Sequence, residues 1–222
     1  MKKVIIGIFA HPDDEAFGPS GTLLKLRNDG YDIHLILLTD GQAGTNPDKL
    51  ADLGTVRLAE WQAAAGLLGA TTSHALHYQD GELPGTPSEV LYKSITNTID
   101  EVISSYQQPP QLSFMSFEPN GITGHGDHKV VSQLTTRAAK HYGAHETWYY
   151  CLNPSQVLPG ASGELAPRAC DESYINARID VSAYLIDKYR IIDCHATQRA
   201  DAANLKALGD ESLSVECFSV AS

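Results

Sequence analysis

Residues 4–10 form an unbroken, largely β-branched apolar run, VIIGIFA. A strand wetted on one face alternates apolar and polar side chains. A run without alternation suits a strand covered on both faces, the usual state in a parallel sheet. Parallel neighbours cannot be joined by a hairpin, so crossover helices have to follow. The sequence supplies them in alternation. Residues 18–28 carry Leu23, Leu24 and Leu26 on a helical period, and 33–39 (IHLILLT) are a second apolar run. A polar, Gly-containing loop over 40–49 precedes an Ala-rich helix expected over 50–68, closed by Gly69. Further expected elements are a strand at 74–78, a helix at 88–106 with Ser88 as N-cap, a strand at 112–117, a helix to Tyr142 and a strand at 147–152.

This repetition predicts an α/β fold: a Rossmann-like three-layer sandwich, with a mostly parallel sheet and helices on both faces. Residues 153–222 are less regular. Residues 153–173 resemble a loop excursion. A short strand is expected at 179–181, helices at 182–192 and 197–208, and a last edge strand at 213–220. The chain is expected to form a single domain, with 1–152 as the Rossmann-like part and 153–222 as a C-terminal extension.

In open parallel sheets, ligands bind beyond the C-terminal strand ends. Three polar segments fall there: His11–Glu15, the loop from Asp40 to Gly44, and the stretch from Glu118 to His128. The first reads AHPDDE, with three successive carboxylates behind a His-Pro. Core packing has no use for such a cluster, whereas a divalent cation would satisfy it. The plainer alternative is a helix N-terminus whose macrodipole favours acids. Adjacent Asp13 and Asp14 point different ways in a non-helical loop, so one can ligate while the other faces water. The last segment contains GHGDH. His125 and His128, three apart at a helix start, share a face; the alternative is a pair of surface histidines capping the helix. A catalytic zinc site takes three protein ligands and leaves one position open. His11, Asp14 and His128 meet that count and type, and Fe²⁺ or Co²⁺ would fit the same donors.

AHPDDE near the N-terminus, with GHGDH about 110 residues on, resembles the LmbE/PIG-L family of N-acetylglucosaminyl deacetylases, which includes deacetylases of mycothiol and bacillithiol precursors and of GPI-anchor intermediates. Weaker matches are Arg57-x-x-Glu60 with Leu68-Gly69, Asp80-Gly81, Lys188, and His195-Ala-Thr-Gln198. The resemblance implies zinc on His11, Asp14 and His128, Asp13 as general base, His125 as electrostatic partner of the oxyanion, Asp127 orienting an imidazole, and Arg57 contacting the sugar or its substituent. Asp80 is a candidate contact for a sugar hydroxyl, although Asp-Gly is also a turn signal. The implied reaction is hydrolysis of an acetamide by zinc-activated water. Relatives acting on the mycothiol precursor carry Tyr where this chain has Thr123; another residue does that work or His125 does it alone, which weakens the transfer of that substrate.

Acidic residues outnumber basic ones by 27 to 16, which disfavours a nucleic-acid partner. No stretch reaches the ~20 apolar residues of a membrane span. The seven-residue apolar run before His11 is at the low end for a signal-peptide core and meets the acidic motif with no small-residue cleavage site, so a buried first strand is expected. Four cysteines without a C-x-x-C pair read as free thiols in a reducing compartment, so a cytoplasmic location is expected. The expected partner is a small-molecule amino sugar, and homo-oligomers are compatible with the sequence. His34, His74, His77, His141 and His145 read as structural or solvated, while His195 is a candidate contributor to the site. Competing functions are a metal-dependent amidase of thiol conjugates, a non-catalytic metal- or sugar-binding protein, and a nucleotide binder. The spare Asp13 opposes the binder. The missing G-x-G-x-x-G after the first strand opposes the nucleotide.

Overall fold

A computed structural model describes residues 1–157, 163 and 165–222. Part of the expected 153–173 excursion therefore lies outside the described residues. In chain order the elements are β1 (Lys3–Phe9), α1 (Asp14–Phe17), α2 (Ser20–Asn28), β2 (Asp32–Thr39), α3 (Leu53–Leu68), β3 (Thr72–Tyr78), α4 (Ser88–Ser104), β4 (Gln111–Phe117), α5 (Gly121–Gly124), α6 (Gly126–Tyr142), β5 (Glu146–Cys151), β6 (Ala177–Asp180), α7 (Leu185–Asp193), α8 (Arg199–Lys206), α9 (Gly209–Leu213) and β7 (Val215–Ala221), with short 3-10 turns between.

The strands form one sheet in the order β3-β2-β1-β4-β5-β7-β6. β1 to β5 run parallel, while β7 pairs antiparallel with both β5 and β6. The period-2 alternation of strand side chains divides the core. Ile5, Phe9, Leu35, Leu37, Met115 and Phe117 meet Leu23 of α2, Trp61 and Leu68 of α3 and Ile191 of α7 on one face. Val4, Ile6, Ile8, Ile36, Leu38 and Phe114 meet Leu91, Ile95 and Ile99 of α4 and Val131 and Leu134 of α6 on the other. β1 is thus buried on both sides, as its unbroken apolar run requires.

Three expectations need correction. The 213–220 strand is not an edge: β7 lies inside the sheet, and β6 is the edge. Ser88 does not cap α4. Pro87 holds the N-cap position without a side-chain bond, so Ser88 is already helical. α3 starts at Leu53 instead of 50, because Asp52 accepts from the Thr55 backbone N–H and fixes the start there. The helix closes at Gly69, whose φ of 68° is the left-handed conformation that glycine adopts freely. His34 is structural, as expected: it is buried between Thr72 (2.7 Å) and Tyr106 (2.8 Å).

Strand order reverses across β1: the chain steps outward through β2 and β3, then returns to β4 on the other side. The crevice beyond β1 and β4 is the topological switch point, where such sheets bind ligands. AHPDDE leaves β1 there, and the loop bearing GHGDH leaves β4 there.

Candidate metal centre

The turn after β1 is tight. Asp13 has φ 121°, an uncommon conformation for a residue with a Cβ, of the kind that concentrates at functional sites. Asp14 reaches back, and its Oδ2 accepts the backbone N–H groups of Ala10 and His11, each at 3.0 Å. Its Oδ1 is left facing Nε2 of His128 at 3.3 Å.

The turn after β4 is held by Glu118, whose carboxylate accepts the N–H groups of Asn120 (2.8 Å) and Ile122 (3.0 Å). Ile122 sits at φ 62° and Gly121 at φ 73°. A Cβ on Gly121 would lie 2.7 Å from that of His128, so glycine is required for this approach. The Gly121 carbonyl then accepts from Nδ1 of His128 at 2.9 Å.

Nδ1 of His11 and Nε2 of His128 are 3.0 Å apart. The donor atoms of His11, Asp14 and His128 all fall within 4.8 Å of one another, and all three residues are buried. Zinc at about 2.0–2.1 Å from tetrahedral ligands puts neighbouring donors roughly 3.3 Å apart, so the spacing fits such an ion. The tautomers fit as well. Nδ1 of His128 donates to a carbonyl and Nε2 of His11 to carboxylates, so the facing nitrogens share a proton while His11 is charged and offer two lone pairs to a cation that displaces it.

Nε2 of His11 has two acid partners: Asp80 at 2.9 Å and Asp127 at 3.3 Å. Asp127 is fully buried and also accepts the N–H groups of Gly81 (2.7 Å) and Leu83 (3.2 Å). The imidazole that Asp127 meets is that of His11. Asp80 meets the same ring, and its other oxygen accepts the Ala43 N–H at 3.1 Å. Burial opposes charge on His11, but the bonds to Asp127 and Asp80 and the charge of Asp14 outweigh it and raise the group to about 10. Burial likewise opposes ionisation of Asp14, yet His128 and His11 hold it well below the ordinary carboxylate range.

Asp13 is left over, as its sequence position suggests. Arg57 Nη2 donates to it at 3.0 Å and to the Pro12 carbonyl at 2.7 Å, while Nη1 donates to the Gly41 carbonyl at 2.8 Å. Arg57 therefore ties the loop after β1 to the loop after β2. Burial pushes Asp13 up to about 7, with Arg57 pulling the other way and Asp14 reinforcing the rise. His125 caps α6, its Nδ1 accepting the Asp127 N–H at 3.2 Å, so in the neutral ring Nε2 carries the proton. Burial, then the neighbouring charges of His11 and His128, lower its pKa.

These residues open into a cavity of about 700 Å³, lined also by Thr123, Tyr150 and, from the C-terminal part, Gln198 and Asp201, a size usual for small-molecule sites. Gln198 donates to the Thr45 carbonyl at 2.9 Å, and Glu60 receives the N–H and hydroxyl of Thr197 at 2.9 and 2.6 Å. His195 lies behind the site, fully buried, with Nε2 3.8 Å from Glu15. Glu118 and the carbonyl of Gly121 were not singled out from the sequence, although Asn120-Gly121 is a turn signal that marks the spot. Among the described residues no helix is long and apolar enough to cross a membrane.

The profile of the family described as PIG-L: GlcNAc-PI de-N-acetylase matches residues 6–139. The diacetylchitobiose deacetylase of Thermococcus kodakarensis is 30% identical over 203 residues, covering 89% of this chain and 70% of that protein. A 1D-myo-inositol 2-acetamido-2-deoxy-alpha-D-glucopyranoside deacetylase of Actinosynnema mirum is 26% identical over 223 residues, covering 86% of this chain and 79% of its own. The solved N,N'-diacetylchitobiose deacetylase from Pyrococcus horikoshii shares the fold, with a TM-score of 0.69 at 22% identity over 99% of this chain and 84% of that one. So does GalB, the 4-carboxy-2-hydroxymuconate hydratase from Pseudomonas putida, at 0.71 and 16% identity over 99% and 96%. The fold alone thus does not select the reaction. With a family profile over more than half its length and a relative at 30% identity along most of it, this chain belongs to the PIG-L family.

Proposed function

We propose that this protein is a metal-dependent hydrolase that removes the N-acetyl group from an N-acetylglucosamine-type sugar conjugate, with zinc as the preferred ion on His11, Asp14 and His128. One observation carries this reading: two histidine lone pairs and a carboxylate oxygen converge beside a fourth acid, Asp13, that is not used to hold them. A pure metal-binding site has no need of that spare carboxylate. The deacetylase relatives support the amide as substrate.

A bound Zn²⁺ lowers the pKa of water towards about 7 and polarises a carbonyl. The remaining work falls to the chain. Asp13 accepts the proton of the attacking water and passes it to the departing amine, a contribution of roughly 10²–10⁴-fold. Arg57 holds Asp13 in its strained turn and ties down the carbonyls beside it. His125 turns a neutral Nε2–H towards the carbonyl oxygen, where negative charge develops, so it donates without first having to be protonated. Asp80 and Asp127 keep the proton of His11 on Nε2. That assigns Asp80 to the imidazole before any sugar hydroxyl, and Arg57 to Asp13 before the sugar. The products are acetate and a free amino sugar.

Metal analysis combined with acetate release from N-acetylglucosamine and its glycosides tests this. The expected result is about one ion per chain and acetate release that disappears on chelation. A metal-loaded protein that releases no acetate from any of them would sink the proposal.

A further inference from the structure

The cavity extends well beyond the groups that would hold the ion, and its chemistry there changes. Beside His128 the floor is aromatic. Phe117 packs edge-on against His128 with ring centroids 4.9 Å apart, and Tyr150 lies 6.1 Å from Phe117. Gly18 keeps this floor open: a Cβ there would come within 3.1 Å of the Phe117 ring and 3.3 Å of Tyr150. Towards solvent, the apolar lining continues through Leu165, Leu205 and Leu208. Leu165 is 52% exposed, so this rim presents aliphatic surface to water next to the site.

The outer cavity offers no free cationic side chain among its described lining residues. Asp13, Asp14 and Asp80 are taken up by Arg57, the ion site and His11; beyond them the described lining adds one more acid, Asp201, and no arginine or lysine besides Arg57. Its terminal nitrogens are engaged by Gly41, Pro12 and Asp13. No guanidinium or ammonium in that lining is free to meet a phosphate, and the net charge of the chain, −11, adds long-range repulsion.

We infer that the substrate is an N-acylated amino sugar bearing a sizeable apolar substituent without negative charge, and that phosphorylated amino sugars are rejected. The inference rests on the deacetylase reading above and narrows its substrate class. The apolar group can belong to the aglycone or to a longer acyl chain, since both present the same hydrocarbon to the Phe117–Leu205 surface. The two sources are separable by experiment.

The experiment compares kcat/KM of the metal-loaded protein on N-acetylglucosamine, its octyl glycoside, N-octanoylglucosamine and N-acetylglucosamine 1-phosphate. A single methylene in an apolar pocket is worth roughly tenfold or more, so at least one octyl compound should exceed the free sugar by at least about tenfold, and the phosphate should fall below it. The compound that gains identifies whether aglycone or acyl chain fills the apolar surface. In Leu165→Ser and Leu205→Ser the preference ratio should shrink several-fold. Equal use of the free sugar and both octyl compounds, or preference for the phosphate, overturns the inference. Binding of octyl glucoside, which has no amide, is measured in parallel. If no compound is hydrolysed, the deacetylase reading fails. Apolar recognition is then upheld by octyl glucoside binding that weakens in Leu205→Ser, and overturned if octyl glucoside binds no better than glucose.

Discussion

Nδ1 of His11 and Nε2 of His128 face each other at 3.0 Å, because the opposite nitrogen of each ring donates to oxygen: Asp80 at 2.9 Å for His11 and the Gly121 carbonyl at 2.9 Å for His128. Two lone pairs at that separation repel unless a proton or a cation lies between them. The facing pair is therefore a folding element as well as a metal site, and metal removal should register in stability. An ion present at 100 times its Kd stabilises by about 2.7 kcal/mol, which corresponds to a melting shift of about 5–10 °C for a chain of this size. Thermal unfolding with and without a chelator should show that drop, with recovery on adding zinc. An unchanged melting temperature after verified metal removal would contradict the account.

Asp80 and Asp127 act on His11 from the far side of its ring. Partners of this kind are worth roughly 10–100-fold in metal affinity. Asp127→Asn and Asp80→Asn should each weaken zinc binding within that range in a competition titration. A normal zinc Kd in Asp80→Asn, with KM alone raised, would return Asp80 to a sugar-binding role.

Burial raises Asp13 to about 7, and Arg57 is the leading influence that lowers it. As a general base Asp13 works ionised, so activity is present above its pKa and lost as pH falls through it. A bound cation lowers that pKa further, which puts the acid limb of kcat/KM at or below pH 7. Removing Arg57 takes away a favourable charge. In Arg57→Ala the limb should move to higher pH, beyond any uniform loss of rate. A lower rate with an unmoved limb would show that Arg57 only holds the loops.

Much of this was legible in local sequence. The double-sided burial of β1 follows from a run with no polar interruption, and AHPDDE and GHGDH announce ligands by residue type. Their meeting was legible too, once repeated β-α units implied a sheet with loops at one edge. The pairing of β7 was not. Residues Val215 to Ala221 read as a strand, but a strand pattern does not say which neighbour it takes, and here Cys217 pairs with Cys151 on one side and Arg178 on the other. The role of Asp80 was hidden for a related reason. Asp-Gly signals a turn, while the contact that matters crosses to His11, far away in sequence. The positive φ of Ile122 has no sequence signature, since a β-branched residue disfavours it, and Asp13 at φ 121° lies outside the left-handed region that Asp tolerates.

A buried ion pair adds to the bonds of Thr197 and Gln198 in tying the C-terminal part to the site. Lys188 bonds Glu216 and also the Gly18 carbonyl at 2.9 Å, while Glu216 accepts the N–H groups of Gly21 (2.9 Å) and Thr22 (2.7 Å) at the start of α2. Breaking such a pair from one side costs about 3–5 kcal/mol. Lys188→Met should lose stability of that order in denaturant unfolding, and Lys188→Met combined with Glu216→Gln should lose clearly less than the sum of the two single changes. Additive losses would mean that the two side chains act independently.

The central claim is that Asp13 stands apart from the ligands and moves the proton. Asp13→Asn keeps the shape of the side chain and its place beside Arg57 but removes its basicity. Metal content and acetate release, measured on the same preparation, test the claim directly. The account predicts zinc stoichiometry equal to wild type with acetate release lowered by at least about 10². Wild-type release from a zinc-loaded Asp13→Asn protein would contradict it.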